Sequence, residues 1–546
     1  MGPTESQTLE TVAVESEAVD AARIGPADAA RTQRWALVAV VLLLSALAAW
    51  FVSPRFAIDS PSLVDDWYAI AESPDQVADV IGLENPEEER FRPSWILWNY
   101  VQWHTFDGPY GLVGPNAWNL LRTFVLVAGL VLATALALPR PKSRVKALVH
   151  AALAATPALM VLAVPKFAPE LARFGPQEPL LVGWMALGGS LLVLAGRSLL
   201  DDRTASTWRI VALASAGSVF WILGVYQKEV SLAVLPLVAA TLFAGRRRLA
   251  RWPTLAGGRR VALGAIGAVV ALPLAHVAIE SARIVWRGDL VYGAEVDEGQ
   301  GIWWGLVALY DWLHEVFPLA ALKMTLAALV VVVVVTIVLR RVDVLALGAL
   351  ATGGLTLLFA AQSGTVANRY YIPAFALAVS ALSISLARLP VLVQVAGLTT
   401  LALAVYPYKS LPRAEVQAWT DKQQAAGAFV RQVADVRATG CPVAVAGLDT
   451  ETHQALPVLV AWEQRPLTGT CTGDETYLVL RSGPDAAALS AACVHGALEP
   501  VLEPLRDDPA AGVYRCARLR AKPVRDPAYG VLPPKRLVVL RLLRTS

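Results

Sequence analysis

The chain has 546 residues, of which 56% are hydrophobic and 17% are charged, and its mean hydropathy is +0.51. Average globular chains are about half apolar and about a quarter charged, so this composition excludes a soluble enzyme and indicates a polytopic membrane protein. The formal net charge of +3 gives no indication of a nucleic acid partner. In such a chain, the side of the membrane on which each charge lies is more informative than the total charge.

The amino-terminal residues 1–34 show no periodic spacing of apolar residues, which predicts a disordered cytoplasmic tail. The first apolar block, 35–52, has no small-residue cleavage site and predicts a retained signal anchor. Ten further charge-poor blocks are long enough to cross a hydrocarbon core of about 30 Å. The sequence therefore predicts an α-helical polytopic membrane domain over 35–407 with about eleven spans, the later ones at 119–138, 147–164, 179–196, 209–225, 230–244, 261–280, 318–339, 343–360, 372–387 and 391–406.

Basic residues are distributed unequally between the two predicted sides. The connections at 139–146, 197–209, 246–260 and 340–341 are rich in Lys and Arg. The short connections on the other side contain only four basic residues: Lys166, Arg173, Lys228 and Arg369. Because cytoplasmic loops carry the excess of Lys and Arg, this pattern predicts a multi-pass plasma membrane protein with a cytoplasmic amino terminus and an extracytoplasmic carboxy-terminal part.

Residues 408–546 have an ordinary composition and predict a small α/β or α+β domain outside the cytoplasm. Helical periodicity covers 414–437, and the runs at 442–448, 476–482 and 512–519 predict strands. All four cysteines lie here without a Cys-x-x-Cys pair, which favours two disulfides over a zinc site and leaves the connectivity open. The disulfide candidates are Cys441, Cys471, Cys493 and Cys516.

The two longest connections, 53–118 and 281–317, lie on the predicted outer side, where we therefore expect the function. The stretch 94–106 in the first of them predicts a helix lying in the membrane interface. Trp95, Trp98 and Trp103 would then lie near the lipid headgroups.

An acidic pair, Asp65 and Asp66, follows the first span and precedes Trp67. Adjacent acids are common on solvated loops. At this position, however, a carboxylate would meet the headgroup of a lipid-linked substrate, where it could act as general base on an acceptor hydroxyl. It could also ligate a divalent cation. Trp67 is a candidate for stacking on a sugar ring.

Three further motifs follow the acidic pair: FRPSW at 91–95, WHTFDGPYG at 103–111 and WNLL at 118–121. In four features the chain resembles the GT-C superfamily of polytopic glycosyltransferases. These are an acidic pair in the first outer loop, an Arg-Pro, a His- and Gly-containing turn, and an Asn-Leu-Leu entry into the second span. That superfamily includes protein O-mannosyltransferases, aminoarabinose lipid A transferases and actinobacterial arabinofuranosyltransferases. The resemblance extends over residues 35–406.

The resemblance implies that Asp65 or Asp66 is the general base of an inverting transfer from a polyprenyl-phosphate sugar. It implies no cofactor and no obligatory metal. Basic residues on the outer side would hold the lipid phosphate, since Arg can bind phosphate bidentately and Lys supplies a point charge. The substrate-binding candidates are Arg92, His104, Lys228 with its neighbour Glu229, and Arg369 with its neighbour Tyr370. Snorkelling at a membrane edge and headgroup anchoring are the competing interpretations of the Lys and Arg.

These features predict a membrane glycosyltransferase that transfers a hexosyl or pentosyl group to an extracytoplasmic glycan, lipid or protein acceptor. One alternative is a transporter or flippase of lipid-linked glycans, which requires polar or broken spans near the middle of the bilayer. The run LAALVVVVVVTIVL at 326–339 has no such polarity. A second alternative is a non-catalytic membrane scaffold that presents the carboxy-terminal domain.

Overall fold

The structure is a computed structural model of the whole chain. The acidic pair with Trp67 and the predicted span 318–339 lie outside the residues that it describes. It describes residues 26–57, 77, 92–104, 113–173, 177–201, 206–287, 307, 343–362, 368–406, 409–438, 443–446, 460–461, 466–467, 475–481, 514–520 and 537–544.

Thirteen α-helices and four β-strands form within these ranges. The helices are α1 (Pro26–Val52), α2 (Pro93–His104), α3 (Val113–Ala137), α4 (Arg144–Ala163), α5 (Ala168–Ala172), α6 (Glu178–Asp201), α7 (Thr207–Val225), α8 (Leu235–Leu249), α9 (Gly257–Arg287), α10 (Val344–Gln362), α11 (Tyr371–Leu386), α12 (Val391–Val405) and α13 (Leu411–Arg437).

The prediction of a helical, polytopic membrane protein is confirmed. Among the described residues, eight helical segments are long and apolar enough to cross a membrane, and two shorter apolar helices cover 344–359 and 391–403. Ten of the predicted spans thus coincide with helices. The first helix begins at Pro26, so it extends into the segment predicted as a tail.

The Arg-rich ends of several helices meet on one side of the helical domain. Arg197, near the end of α6, donates from Nη2 to the carbonyl oxygen of Leu136 at the end of α3, at 3.1 Å. Arg248, at the end of α8, lies 3.0 Å from the Asp201 carboxylate. We call this side of the helical domain the basic face. It gathers the segments whose charge predicted a cytoplasmic location.

Glycines allow α3, α6 and α7 to pack closely. A Cβ atom on Gly183 of α6 would lie 2.8 Å from the backbone of Leu126 in α3, and one on Gly188 would lie 2.4 Å from the backbone nitrogen of Trp221 in α7. Such distances are too short for two non-bonded heavy atoms, so only glycine fits unless the helices separate. Small residues commonly have this function between membrane helices. The contact fixes the relative positions of the loops at the ends of α6 and α7.

We expect Gly188→Ala to destabilise the protein by about 1–3 kcal/mol, because overpacking forces a tight helix contact apart. The free energy of unfolding can be measured by titration with sodium dodecyl sulfate in mixed micelles. Gly267→Ala is the matched control, since no atom lies within 4 Å of the added Cβ. Equal stability of the two variants would contradict a close contact between α6 and α7.

Helix α2 packs against other parts of the protein, so the prediction that Trp95 and Trp98 contact lipid headgroups is wrong, whereas the position of α2 in the membrane interface stays a prediction. The exposed fractions of Trp95 and Trp98 are only 6% and 9%. The Trp98 ring packs edge-on against Trp118 and Trp184, with centroid distances of 4.7 and 5.0 Å. Aromatic side chains suit both headgroup regions and protein cores, and here neighbouring helices supply the contacts that lipid was expected to supply.

The carboxy-terminal part combines helix α13 with a four-stranded mixed sheet. The strands are β1 (Val443–Ala446), β2 (Glu475–Arg481), β3 (Tyr514–Arg520) and β4 (Leu537–Arg544), in the order β1-β2-β4-β3. β1 is parallel to β2, whereas β4 is antiparallel to both β2 and β3. Three strands and the helix occur where they were predicted. The fourth strand was missed, and the division into a separate domain stays a prediction.

Helix α13 packs against the membrane helices on the side opposite the basic face. Arg413 donates to the Ser53 hydroxyl at 2.6 Å, and Lys166 lies 3.7 Å from the Glu415 carboxylate. Ser53 directly follows the last residue of α1. The first turn of α1, at the other end of the helix, pairs with the start of α4 on the basic face. The chain therefore enters its carboxy-terminal part from the opposite face.

Candidate functional site

Polar and charged side chains from four separate segments meet at the face opposite the basic face. Each segment lies at the end of a helix. The segments are Arg92 before α2, Gln177 and Glu178 at the start of α6, residues 226–229 between α7 and α8, and residues 368–370 before α11. We call this group the polar cluster.

Glu178 is at the centre of the polar cluster. Its side chain is 1% exposed, and its Oε1 lies 2.7 Å from the Nζ of Lys228, whose side chain is 8% exposed. Its Oε2 lies 3.9 Å from the Nε of Arg369. The first turn of a helix favours an acidic residue because the helix dipole is positive there. One buried carboxylate thus holds two cations that come from different helices.

The ring of Tyr370 lies close to the same two cations. The Lys228 ammonium lies 4.1 Å from the centroid of the Tyr370 ring, and the Arg369 guanidinium lies 5.3 Å from it. A cation close to the face of an aromatic ring is stabilised by the ring quadrupole, more strongly when it is desolvated. The ring therefore helps to keep both positive charges out of water.

Arg92 joins the cluster from the start of α2. Its Nε lies 3.8 Å from the Glu229 carboxylate. The amide of Gln177, in the orientation that satisfies its neighbours, accepts from the Nη1 of Arg92 at 3.1 Å and donates to the backbone oxygen of Gln227 at 3.2 Å. The cluster thus contains two ion pairs, Arg92 with Glu229 and Lys228 with Glu178.

The loop that carries Lys228 is held at its first residue. The backbone oxygen of Tyr226 accepts from the backbone nitrogen of Ser94 at 3.2 Å, which ties the loop to α2. The Tyr226 hydroxyl forms a 2.9 Å hydrogen bond with the Nδ1 of His276 on α9. Burial raises the pKa of Tyr226 above its ordinary value. The position of Lys228 thus depends on contacts with two helices.

Cations outnumber carboxylates among the described residues of the cluster. Three cations, Arg92, Lys228 and Arg369, face two carboxylates, Glu178 and Glu229. In surroundings of low dielectric, an anion close to these cations is attracted more strongly than in water. Among the described residues, no group of three or more His, Cys, Asp or Glu side chains is arranged to hold a metal ion. This arrangement suits a phosphate group.

The structure thus brings together five residues selected from the sequence: Arg92, Lys228, Glu229, Arg369 and Tyr370. The burial of Lys228 excludes the interpretation that it snorkels to the membrane edge. Asp65, Asp66 and Trp67 lie outside the described residues, and so do Cys441, Cys471 and Cys493. His104 ends α2 and Cys516 lies in β3, but their side chains are outside the described set. The roles predicted for these residues stay predictions.

Sequence reasoning missed Glu178, Gln177 and Gln227. The sequence contains one indication of these residues, since Gln177 and Glu178 immediately precede Pro179 and an apolar block of helical length. An acidic residue there is also a normal helix start, so nothing in the sequence distinguishes it from a solvated side chain. Its partners are 50 and 191 residues away in the chain, at positions 228 and 369.

No protein-family model and no curated protein matches the chain. Among solved structures, the chain is similar to ArnT from Cupriavidus metallidurans in the apo state, with a TM-score of 0.45 and 14% identity over 92% of this chain and 97% of that one. It is also similar to ArnT from the same organism bound to undecaprenyl phosphate, with a TM-score of 0.46 and the same identity and coverage. ArnT is an aminoarabinose transferase of the GT-C superfamily, the superfamily that the sequence motifs resemble.

Proposed function

We propose that this protein is a membrane glycosyltransferase that transfers a sugar from a polyprenyl-phosphate donor to an extracytoplasmic acceptor. The observation that carries the proposal is the polar cluster. Its described residues include three cations and two carboxylates, it is largely buried, and it lies where several membrane helices end. A phosphate monoester or diester whose lipid tail stays in the bilayer meets all three conditions.

In the proposed reaction, Lys228 and Arg369 bind the phosphate and stabilise the charge that develops on it as the sugar leaves. Arg92 and Glu229 complete the phosphate site, and Tyr370 orients the two cations. Asp65 or Asp66 removes the proton from the acceptor hydroxyl, and Trp67 stacks on a sugar. His104 is a further substrate-binding candidate. The reaction requires no cofactor, although a divalent cation could bind at the acidic pair.

Apolar surface near the cluster can receive the lipid tail of the donor. Leu235 begins α8 just after the cluster loop and is 52% exposed, and Phe359 near the end of α10 is 44% exposed. Both belong to helices whose outer surfaces suit contact with lipid. A polyprenyl chain can thus stay in the membrane while its phosphate reaches the cluster.

The two alternatives explain less. A flippase would hold charged groups near the middle of the membrane along the substrate pathway, whereas this cluster lies at helix ends. A scaffold that only presents the carboxy-terminal part has no need for a buried group of three cations and two carboxylates. The contact of α13 with Ser53 and Lys166 favours cooperation of that part with the membrane helices.

We further propose that the basic face is cytoplasmic and that the opposite face, with the carboxy-terminal part, is outside the plasma membrane. In that compartment the four cysteines would form two disulfides. We expect a thiol-reactive maleimide to label the denatured protein only after reduction. Labelling of all four thiols without a reductant would contradict this location.

The function is tested by the binding of undecaprenyl phosphate to the full-length protein in detergent, with uncharged undecaprenol for comparison. We expect tight binding of the phosphate only. Arg369→Gln should weaken it about tenfold or more, since a hydrogen bond between charged groups is worth about 1.5–3 kcal/mol. Arg413→Gln is the control, because Arg413 lies on the same face but contacts Ser53. Equal affinity for undecaprenol, or no effect of Arg369→Gln, would contradict the proposal.

A further inference from the structure

One face of α2 continues from the polar cluster into the protein. Arg92, Trp95, Asn99 and Gln102 are three, four and three residues apart, a spacing that places them on one side of a helix. The Arg92 guanidinium lies 6.0 Å from the centroid of the Trp95 ring, so neighbouring side chains on this face are close to each other. All four residues are buried.

Asn99 is the unusual member of this face. It is 0% exposed, and neither its Nδ2 nor its Oδ1 has a hydrogen-bond partner within the part of the chain that the structure describes. A buried donor or acceptor without a partner costs about 1–3 kcal/mol. Buried polar groups in folded proteins are nearly always satisfied, so an exception of this kind requires an explanation such as a ligand or an ordered water.

The distance between Asn99 and the phosphate site fits a sugar phosphate. Seven residues of α-helix separate Arg92 from Asn99, which corresponds to about 10 Å along the helix axis. A phosphate bound at Arg92 would place the attached sugar over Trp95 and its far hydroxyls at Asn99. Sugar rings pack on aromatic faces, and a carboxamide offers one donor side and one acceptor, which suits two neighbouring hydroxyl groups.

We propose that the α2 face formed by Arg92, Trp95, Asn99 and Gln102 is the sugar subsite of the donor, and that Asn99 binds its ring hydroxyls. The ligand class is a neutral pyranose or furanose linked to a lipid phosphate. This inference rests on the proposed function and adds the place where the sugar is recognised. Since Asn99 is fully covered in this structure, the sugar reaches it only when the packing over this face opens.

A buried water would also satisfy Asn99, and the two explanations differ in what they predict for Asn99→Leu. Leu has nearly the same shape and no polar group. If the amide only binds water, Asn99→Leu should leave the free energy of unfolding nearly unchanged. An apolar residue of the same shape removes the hydrogen bonds to water together with the cost of burying a polar group. If the amide binds sugar, the variant folds normally but loses discrimination between glycosylated and bare lipid phosphate.

The experiment compares undecaprenyl phosphate with its mannosyl, glucosyl and arabinofuranosyl derivatives, bound to the full-length protein in detergent. We expect at least one derivative to bind the wild type more tightly than the bare lipid does, by about tenfold for two hydroxyl hydrogen bonds. Asn99→Leu should remove this advantage and leave the affinity for bare undecaprenyl phosphate unchanged. Gln394→Leu is the control, because the buried Gln394 amide donates to the carbonyl oxygens of Ala387 and Leu389 near the basic face. It should keep the advantage.

Three results would overturn the subsite. These are a sugar advantage that persists in Asn99→Leu, an equal loss of affinity for bare and glycosylated lipids in Asn99→Leu, and a wild type that never prefers a glycosylated lipid. Asn99→Ala, with its unfolding measured in parallel, separates a folding defect from a binding defect. A wild type that fails to bind even undecaprenyl phosphate would instead refute the proposed function.

Discussion

Glu178→Gln is expected to destabilise the protein by about 3–5 kcal/mol, the cost of removing one partner from a buried ion pair. The substitution keeps the shape of the side chain and removes only its charge. Lys228 would then remain almost fully buried beside Arg369 without the carboxylate that lies 2.7 Å from its ammonium. The change in free energy of unfolding can be measured by dodecyl sulfate titration in mixed micelles.

Lys228→Met should have a similar cost, because it leaves the Glu178 carboxylate buried, with Arg369 as its more distant partner at 3.9 Å. The double variant should be less destabilised than the sum of the two single variants, since residues that interact directly couple by about 0.5–3 kcal/mol. Lys166→Met is the matched control, because Lys166 and its partner Glu415 are 34% and 37% exposed. Breaking such a pair typically costs about 0–1 kcal/mol.

Strict additivity of Glu178→Gln and Lys228→Met would contradict a direct buried pair. A cost no greater than that of Lys166→Met would contradict the burial itself. Both results would also weaken the proposed phosphate site, because that site depends on cations that are held in place before the ligand arrives. Both variants should also raise KM for the lipid-linked donor, since the phosphate-binding Lys228 is displaced in Glu178→Gln and absent in Lys228→Met.

The sequence predicted the membrane helices well, because their signal is local. Charge-poor blocks of helical length and the sorting of Arg into alternate connections do not depend on distant contacts. The same local logic found Lys228 and Arg369, since a lone cation between two apolar blocks is conspicuous. It could not show that both contact Glu178, because three segments far apart in the chain supply this contact.

Two misinterpretations have the same physical origin. Trp95 and Trp98 have a chemistry that serves a headgroup region and a protein core equally, so their spacing could not decide between lipid and helix neighbours. Strand β4 was missed because the run LVVLRLLR lacks the clear alternation of a half-buried strand. It is paired on both sides, with β2 and β3. In both cases tertiary neighbours decide the structure.

The acidic pair should control the chemical step. Replacing Asp65 and Asp66 together by Asn is expected to lower kcat for sugar transfer about 10²–10⁴-fold, the usual contribution of a positioned general base. Each single substitution should show which carboxylate is the base, with Asp65 expected to have the larger effect. The binding of undecaprenyl phosphate should be unchanged, because the phosphate site consists of residues from the polar cluster.

Comparing kcat for transfer with the affinity for lipid phosphate distinguishes a catalytic role of the acidic pair from a structural one. A general base acts only after the donor is bound, so its loss lowers kcat while the affinity for lipid phosphate persists. Asp201→Asn is the control, because Asp201 lies on the basic face, 3.0 Å from Arg248, and should leave transfer unaffected. Full transfer by the double variant would exclude both residues as the base. A joint loss of binding and transfer would instead assign the pair to the donor site, either directly or through a bound divalent cation. The addition of a metal chelator to the wild type then distinguishes these two cases, because only a metal-dependent site loses affinity.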